Sequence, residues 1–123
     1  MKRLILSKLS GDELVDRFAQ LAVEQDLAQE MGEQSKVNRL YWKLDAIDVE
    51  LKSRPGDERS RLLTLYRHPN MHVQLKAAKA TLAVAPVEAR RLIEVIAVSH
   101  HYPQAGEAGM TLFNLDRGVF KPT

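Results

Sequence analysis

The stretch LYRHPNMHVQLKAAKATL, Leu65–Leu82, places His68 and His72 four residues apart. On one continuous helix that spacing would put both imidazoles on one face, as a two-histidine metal site needs. Pro69 breaks the continuity. A proline disfavours helical geometry in the residue before it, and Asn70 is a good N-cap for a helix that follows. The pattern therefore predicts a joint between two helices. His68 would meet the free carbonyls closing the first, and His72 would lie exposed in the first turn of the second. No third ligand stands at a suitable spacing, so neither a metal nor any other cofactor is expected.

The rest of the chain divides around this joint in the same terms. Ser10 and Glu13 form a capping box ahead of Leu14, Val15, Phe18, Leu21, Ala22 and Leu27, which recur at helical spacing until Gly32. A second helix is predicted from Glu33 to Ser53 on Val37, Leu40, Tyr41, Leu44, Ile47 and Leu51. Trp42 lies off that stripe, either packed on a neighbouring helix edge or exposed as an interface anchor. Pro55 and Gly56 break the chain, and Asp57 can cap the next element. Shorter helices are then expected over Asp57–Arg67 and Asn70–Val84. Two more are opened by Pro86, reaching Ser99, and by Pro103, ending near Arg117–Gly118. The sum is an all-α fold of about six helices in three antiparallel pairs, an alpha-alpha superhelix. Its parts are a long N-terminal pair (10–54), two shorter pairs (57–84 and 86–117) and a tail (118–123). Val119 and Phe120 of the tail are expected to dock on the last pair.

The two shorter pairs match each other at an offset of thirty residues. Arg61, Leu62, Leu63, Leu65 and Tyr66 meet Arg91, Leu92, Ile93, Val95 and Ile96. In the following helix Gln74, Ala78, Thr81 and Leu82 meet Gln104, Ala108, Thr111 and Leu112. One helix pair cannot bury its apolar stripe alone, so stacked repeats are the expected solution. Small residues such as Ala77, Ala78, Ala105 and Ala108 would let helix axes approach closely.

On these residues the chain resembles the short HEAT-like repeat. That repeat opens on a histidine or aspartate followed by proline, with a valine, paired alanines and a leucine downstream. Pro69, Val73, Ala77, Ala78 and Leu82 carry the match, and Gln74 stands where the family usually has arginine. The resemblance covers about Asp57–Arg117. The C-terminal half is similar to small bacterial HEAT-like domains, which implies an interaction module. Some related helical-repeat proteins act as immunity proteins that neutralise a toxin by direct binding.

Composition narrows the function classes. At 123 residues, 45% hydrophobic and 28% charged, the chain reads as one globular domain able to bury its own core. It has no cysteine, which excludes disulfides and thiolate chemistry and fits a cytoplasmic location. The start MKRLILSKLS mimics a signal peptide, but its apolar run stops after Leu4, Ile5 and Leu6. A secretory core needs roughly 7–15 apolar residues, and no run approaches the ~20 of a membrane span. Net charge is only +2, but it is unevenly placed: residues 1–33 carry seven acids and four bases, the remainder nine acids and fourteen bases.

No Gly-rich phosphate loop, nucleophile elbow or HExxH motif occurs, and His100 and His101 read as loop residues, so no enzyme is expected. The leading expectation is a protein-binding module. Gln74, Lys76, Lys79 and Gln104 are candidates for a concave recognition surface, and Trp42 for an anchor. The first helix, with Asp12, Glu13, Asp16, Glu24 and Asp26, offers an acidic patch suited to a basic partner such as a toxin domain. The alternative is a nucleic-acid binder using Lys76, Lys79, Arg90 and Arg91. No membrane partner is expected. A homo-oligomer stays open, because an exposed solenoid end can pair with itself.

Overall fold

The computed structural model describes residues 5–123. Those residues are helical and contain no strand. They fall into two compact units, the first ending at Arg61 and the second starting at Leu62.

The first unit is built on α1 (Gly11–Glu30) and α2 (Gln34–Ser53). Ser10 starts α1 as its spacing predicts. Its Oγ accepts from the Glu13 amide at 3.1 Å, and the Glu13 carboxylate accepts from the Ser10 amide at 2.9 Å. Two of the four orphan donors at the helix start are thereby satisfied. α1 ends in a tight turn where Gly32 takes φ +71, a left-handed geometry in which glycine has no Cβ penalty. A turn this short makes α1 and α2 antiparallel neighbours. Leu14, Phe18, Leu21 and Ala22 are buried on α1, and Leu40, Leu44, Ile47 and Leu51 on α2. Gln25 is buried too, and its amide nitrogen donates to the Val37 carbonyl at 3.2 Å, tying the helices together.

Two stripe residues do not join this core. Leu27 is 57% exposed and Tyr41 is also exposed. Leu27 lies five residues past Ala22, well round the helix from the buried face, and Ala28 takes the inward position. The segment before α1 forms a single 3-10 turn, Leu6–Lys8. Arg54, just past α2, donates from Nη2 to the Leu6 and Leu9 carbonyls at 3.2 and 2.6 Å. Residues 1–4, which carry the start of the signal-like run, lie outside the described residues.

The segment expected as a helix from Asp57 is a 3-10 helix, Glu58–Arg67, that crosses the division between the units. Asp57 takes φ +54, and its carboxylate accepts from both the backbone and the guanidinium of Arg59.

The second unit contains α3 (Met71–Ala80), α4 (Pro86–Ala97) and α5 (Gln104–Asp116). Asn70 caps α3 by accepting from the His72 and Val73 amides at 2.8 and 3.2 Å. α4 packs on both α3 and α5. Leu75, Ala78, Leu82, Ala89, Ile93, Ile96 and Ala108 form its buried core, with Tyr66, Leu112 and Leu115 against it.

The repeat is visible within this unit. Ala78 and Ala108 are both fully buried. Thr81 and Thr111 each donate to the carbonyl four residues back, Ala77 and Glu107, at 2.8 Å. In the preceding helices the register slips by one residue. Buried Leu62 and Leu65 correspond to buried Ile93 and Ile96, while Val95 is exposed. A 3-10 helix has 3.0 residues per turn against 3.6, so equal sequence spacing does not give equal facing.

The tail departs from expectation. Val119 is 71% exposed and Phe120 lies at the surface. Their amides donate to the Asn114 carbonyl in closing α5, which holds the backbone but not the side chains. Pro122 is the tail residue that turns inward, lining a cavity of about 350 Å³ with Leu82, Ala83, Pro86, Arg90 and Leu115.

Removing the cap at the head of α1 tests this account of the first unit. Ser10→Ala is expected to cost about 1 kcal/mol in urea unfolding followed by helical circular dichroism. An unchanged midpoint would mean that packing alone sets where α1 begins.

Candidate protein-binding surfaces

The residues expected on a concave surface lie together in the second unit, but they are occupied with one another. Lys76 and Lys79, three residues apart on α3, both donate to the same Glu107 carboxylate oxygen on α5, at 2.9 and 3.1 Å. Burial alone would push the Glu107 carboxyl up. The two ammonium groups outweigh it and hold the pKa at about 2, well below the ordinary 4.5. Gln74 is half-buried and donates to the His68 carbonyl at 2.7 Å.

Gln104 and His72 correct the sequence reading. Both are only 1% exposed, so Gln104 is not a surface residue and His72 is not solvated. The Gln104 amide nitrogen lies 3.1 Å from His72 Nδ1. The contact pairs a side-chain amide with an imidazole nitrogen, each able to serve as the other's hydrogen-bond partner. Polar side chains buried this deeply require such partners. His68 and His72 do fall in different elements, and His68 Nδ1 accepts from the Asn70 amide at 3.0 Å. Among the described residues no three histidine or acidic side chains converge as metal ligands would.

The basic stripe proposed for nucleic acid is largely neutralised. Lys76 and Lys79 are held by Glu107, and Arg90 by Asp116 at 2.9 Å and Glu94 at 3.4 Å. Arg91 is exposed. Glu107, the residue that organises this region, had no place in the sequence reading. Its signal was its position three residues past Gln104, one helical turn along the same face.

The acidic residues of α1 meet different fates. Asp12 pairs with Arg61 at 3.2 Å, and Glu13 is consumed by the capping box. Asp26 is half-buried and engaged in an interaction of its own. Asp16 and Glu24 are exposed and make no hydrogen bond or ion pair with the described residues. Val23, Leu27 and Met31 are exposed on the same helix. On α2, Trp42 is 67% exposed, with its ring edge-on to Tyr41 at 5.1 Å, so it is not packed on a helix edge. Asp48 sits half-buried in α2 with Oδ1 inaccessible and unpaired among the described residues. Burial raises its pKa to about 6, Arg59 opposing and Asp45 adding to the shift.

Residues 12–116 match a family described as a domain of unknown function, DUF2019. The chain belongs to the DUF2019 family. It is also similar to the crystal structure of the protein RPA1889 from Rhodopseudomonas palustris CGA009. That similarity has 50% identity and a TM-score of 0.94, covering 98% of this chain and 100% of the other. No curated protein matches the chain. Among the described residues no helix is long and apolar enough to cross a membrane.

The two unusual carboxyls of this DUF2019 domain predict opposite pH effects. The lowered pKa of Glu107 gives a stabilisation fully present above pH 4.5 and lost as pH falls toward 2. Glu107→Gln is expected to cost about 1–3 kcal/mol near neutral pH, the gap closing in acid. The raised pKa of Asp48 gives a contribution present below pH 3.8 and lost as pH rises through about 6. Asp48→Asn should therefore stabilise at pH 8, by about 1 kcal/mol after solvent screening, and do nothing at pH 3.5. Denaturant titrations across pH check both. Parallel curves for wild type and variant would remove the assigned carboxyl from the account.

Proposed function

We propose that this DUF2019 domain is a non-enzymatic protein-binding module of the HEAT-like helical-repeat type, and that α1 is its recognition face. The observation that carries the reading is the contrast between its charges. The bases at Lys76, Lys79 and Arg90 are committed to internal ion pairs, whereas Asp16 and Glu24 are exposed without partners beside Val23, Leu27 and Met31. An apolar surface edged by free carboxylates suits a basic protein, which it would attract over a distance and hold by area. The same contrast favours a protein over a nucleic acid, whose binding needs free cations facing the phosphates.

A basic nuclease toxin is a partner of this chemistry, and an immunity protein acts by such direct binding. A cytoplasmic location accords with that role. The repeat-related burial of Ala78 with Ala108 and Thr81 with Thr111 supports the HEAT-like part of the reading.

Charge reversal tests it. In affinity capture from the native host, the wild-type chain is expected to retain a basic protein at low salt and release it at high salt. D16K/E24K should fail to retain it. Equal retention by both baits would remove α1 from recognition. A fluorescently labelled DNA duplex should show no salt-sensitive binding to either.

A further inference from the structure

α5 closes the second unit with Gln104, Ala105, Ala108 and Thr111 buried on its inner side. On its outer side Tyr102, Met110 and Phe113 are each more than half-exposed, Gly106 is exposed and Gly109 partly so. At 3.6 residues per turn these positions, with Arg117 just past the helix end, fall on one stripe. The fold does not demand its two glycines. Neither takes a left-handed φ. A Cβ on Gly109 would meet no atom within 4 Å, and one on Gly106 only the Tyr102 ring at 3.9 Å, an ordinary contact. Alanine would be the better helix former at both positions. The glycines leave hollows between large apolar side chains.

We propose that this face of α5 pairs with the same face of a second copy of this chain, the two helices running antiparallel about a twofold axis level with Gly109 and Met110. The proposal stands apart from the reading of α1. Such an axis reverses the order along the stripe and keeps each flank on its own side. Phe113 and Gly106 lie about two turns apart along the middle of the stripe. Phe113 of each copy therefore falls into the hollow over Gly106 of the other, against its Tyr102 ring. Gly109 lies on one flank and Met110 on the other. Gly109 then opposes Gly109, which lets the backbones approach, and Met110 packs on Met110. The Arg117 guanidinium, 5.1 Å from the centre of the Phe113 ring, comes level with the second copy's Tyr102 and meets another aromatic face.

Charge selects this orientation. With the axis along α5 the helices would run parallel, setting Arg117 against Arg117, Phe113 against Phe113 and like ends of the helix dipoles together. In the antiparallel pair the dipoles oppose. Asp116, an acid at the C-terminal end where its own helix disfavours it, comes level with Pro103 at the head of the other α5, which has no side-chain cap. The exposed parts of the two rings amount to on the order of 100 Å² each. Doubled by symmetry and joined by Met110, the contact still falls short of the ~1,200–2,000 Å² of stable complexes, so the dimer is a weak one.

Sedimentation velocity on the full chain is expected to show monomer giving way to dimer between about 1 μM and 1 mM. G106Q/G109Q sets long, uncharged side chains that favour helix into the hollows. It should keep or raise the melting temperature by circular dichroism while weakening dimerisation at least about tenfold, and F113Q should weaken it likewise. D16K/E24K should dimerise as the wild type does. The chain has no cysteine, so the register can be read by cross-linking. Mild oxidation should link F113C to G106C in an equimolar mixture and link neither to itself, because like positions then lie too far apart for a disulfide.

A wild type that stays monomeric to about 1 mM, or folded glutamine variants that dimerise unchanged, overturns the proposal. So does F113C that links to itself faster than to G106C, which would mean a parallel pair. Loss of the dimer in D16K/E24K would place the contact on α1 and overturn it as well.

Discussion

Two amphipathic helices joined by a three-residue turn can bury one stripe of each and no more. In the first unit that stripe is Leu14, Phe18, Leu21 and Ala22 against Leu40, Leu44, Ile47 and Leu51. Burying side chains of this size contributes about 1.5–3 kcal/mol each before the entropy of ordering them is subtracted. Packing therefore fixes the identity of a minority of the residues of each helix and leaves the rest to other demands. The outer faces hold Val23, Leu27, Met31, Trp42 and Val49, none of which the core requires. Single exposed apolar residues are common; several along two neighbouring helices, bordered by charges with no partner, support the proposed recognition surface.

The second unit shows what charges look like when structure is their purpose. Glu107 is mostly buried, and desolvation by itself would favour its neutral form. Two lysines one turn apart on α3 reverse that preference, and each neutralises part of the same carboxylate. The His72–Gln104 pair is deeper still and joins two buried nitrogens that would each be costly alone. Such contacts hold α3 and α5 in one register, since any slip would strand a charge or an amide. The corresponding cost of separating them is why this face is a poor candidate for recognition. A ligand would first have to break ion pairs that are already partly desolvated.

What could be read directly from the chain was local. The Ser10–Glu13 box, the Asn70 cap, the break at Pro69 and the inward alanines of the repeat all depend on spacings within a turn or two. The all-helical fold follows from them. The contacts that define the second unit join residues 28 to 32 positions apart, Lys79 to Glu107 and His72 to Gln104. Spacing cannot reveal a pairing that depends on how two helices are docked. His72 looked solvated because first-turn residues usually are, yet the docking of α5 covers it. Leu27 and Val119 failed in the other direction, because an apolar residue marks a core position only where a neighbour exists to cover it. Of the α1 candidates, Asp12 and Glu13 proved to be spoken for and Asp16 and Glu24 free. That division turns on where Arg61 and Ser10 lie in space.

The repeat itself limits how far one copy can stand for the other. Gln74 and Gln104 are identical and in register, yet Gln74 is the fourth residue of α3 and Gln104 the first of α5. Pro103 delays the second helix, so an amide that binds a preceding carbonyl in one copy reaches across to a histidine in the other. Interior positions such as Ala78 and Ala108 keep their equivalence because both are bounded by neighbouring helices on the core side. Helix ends do not, because their environment is set by the connecting turn. Function read by transfer between repeats is therefore sound for the packing surface and unsound at the joints. In this chain Gln74 and Gln104 lie near such joints. That leaves the outer faces of α1 and α2, where no repeat partner exists and the unspent charge lies, as a part of the molecule whose residues the fold does not explain.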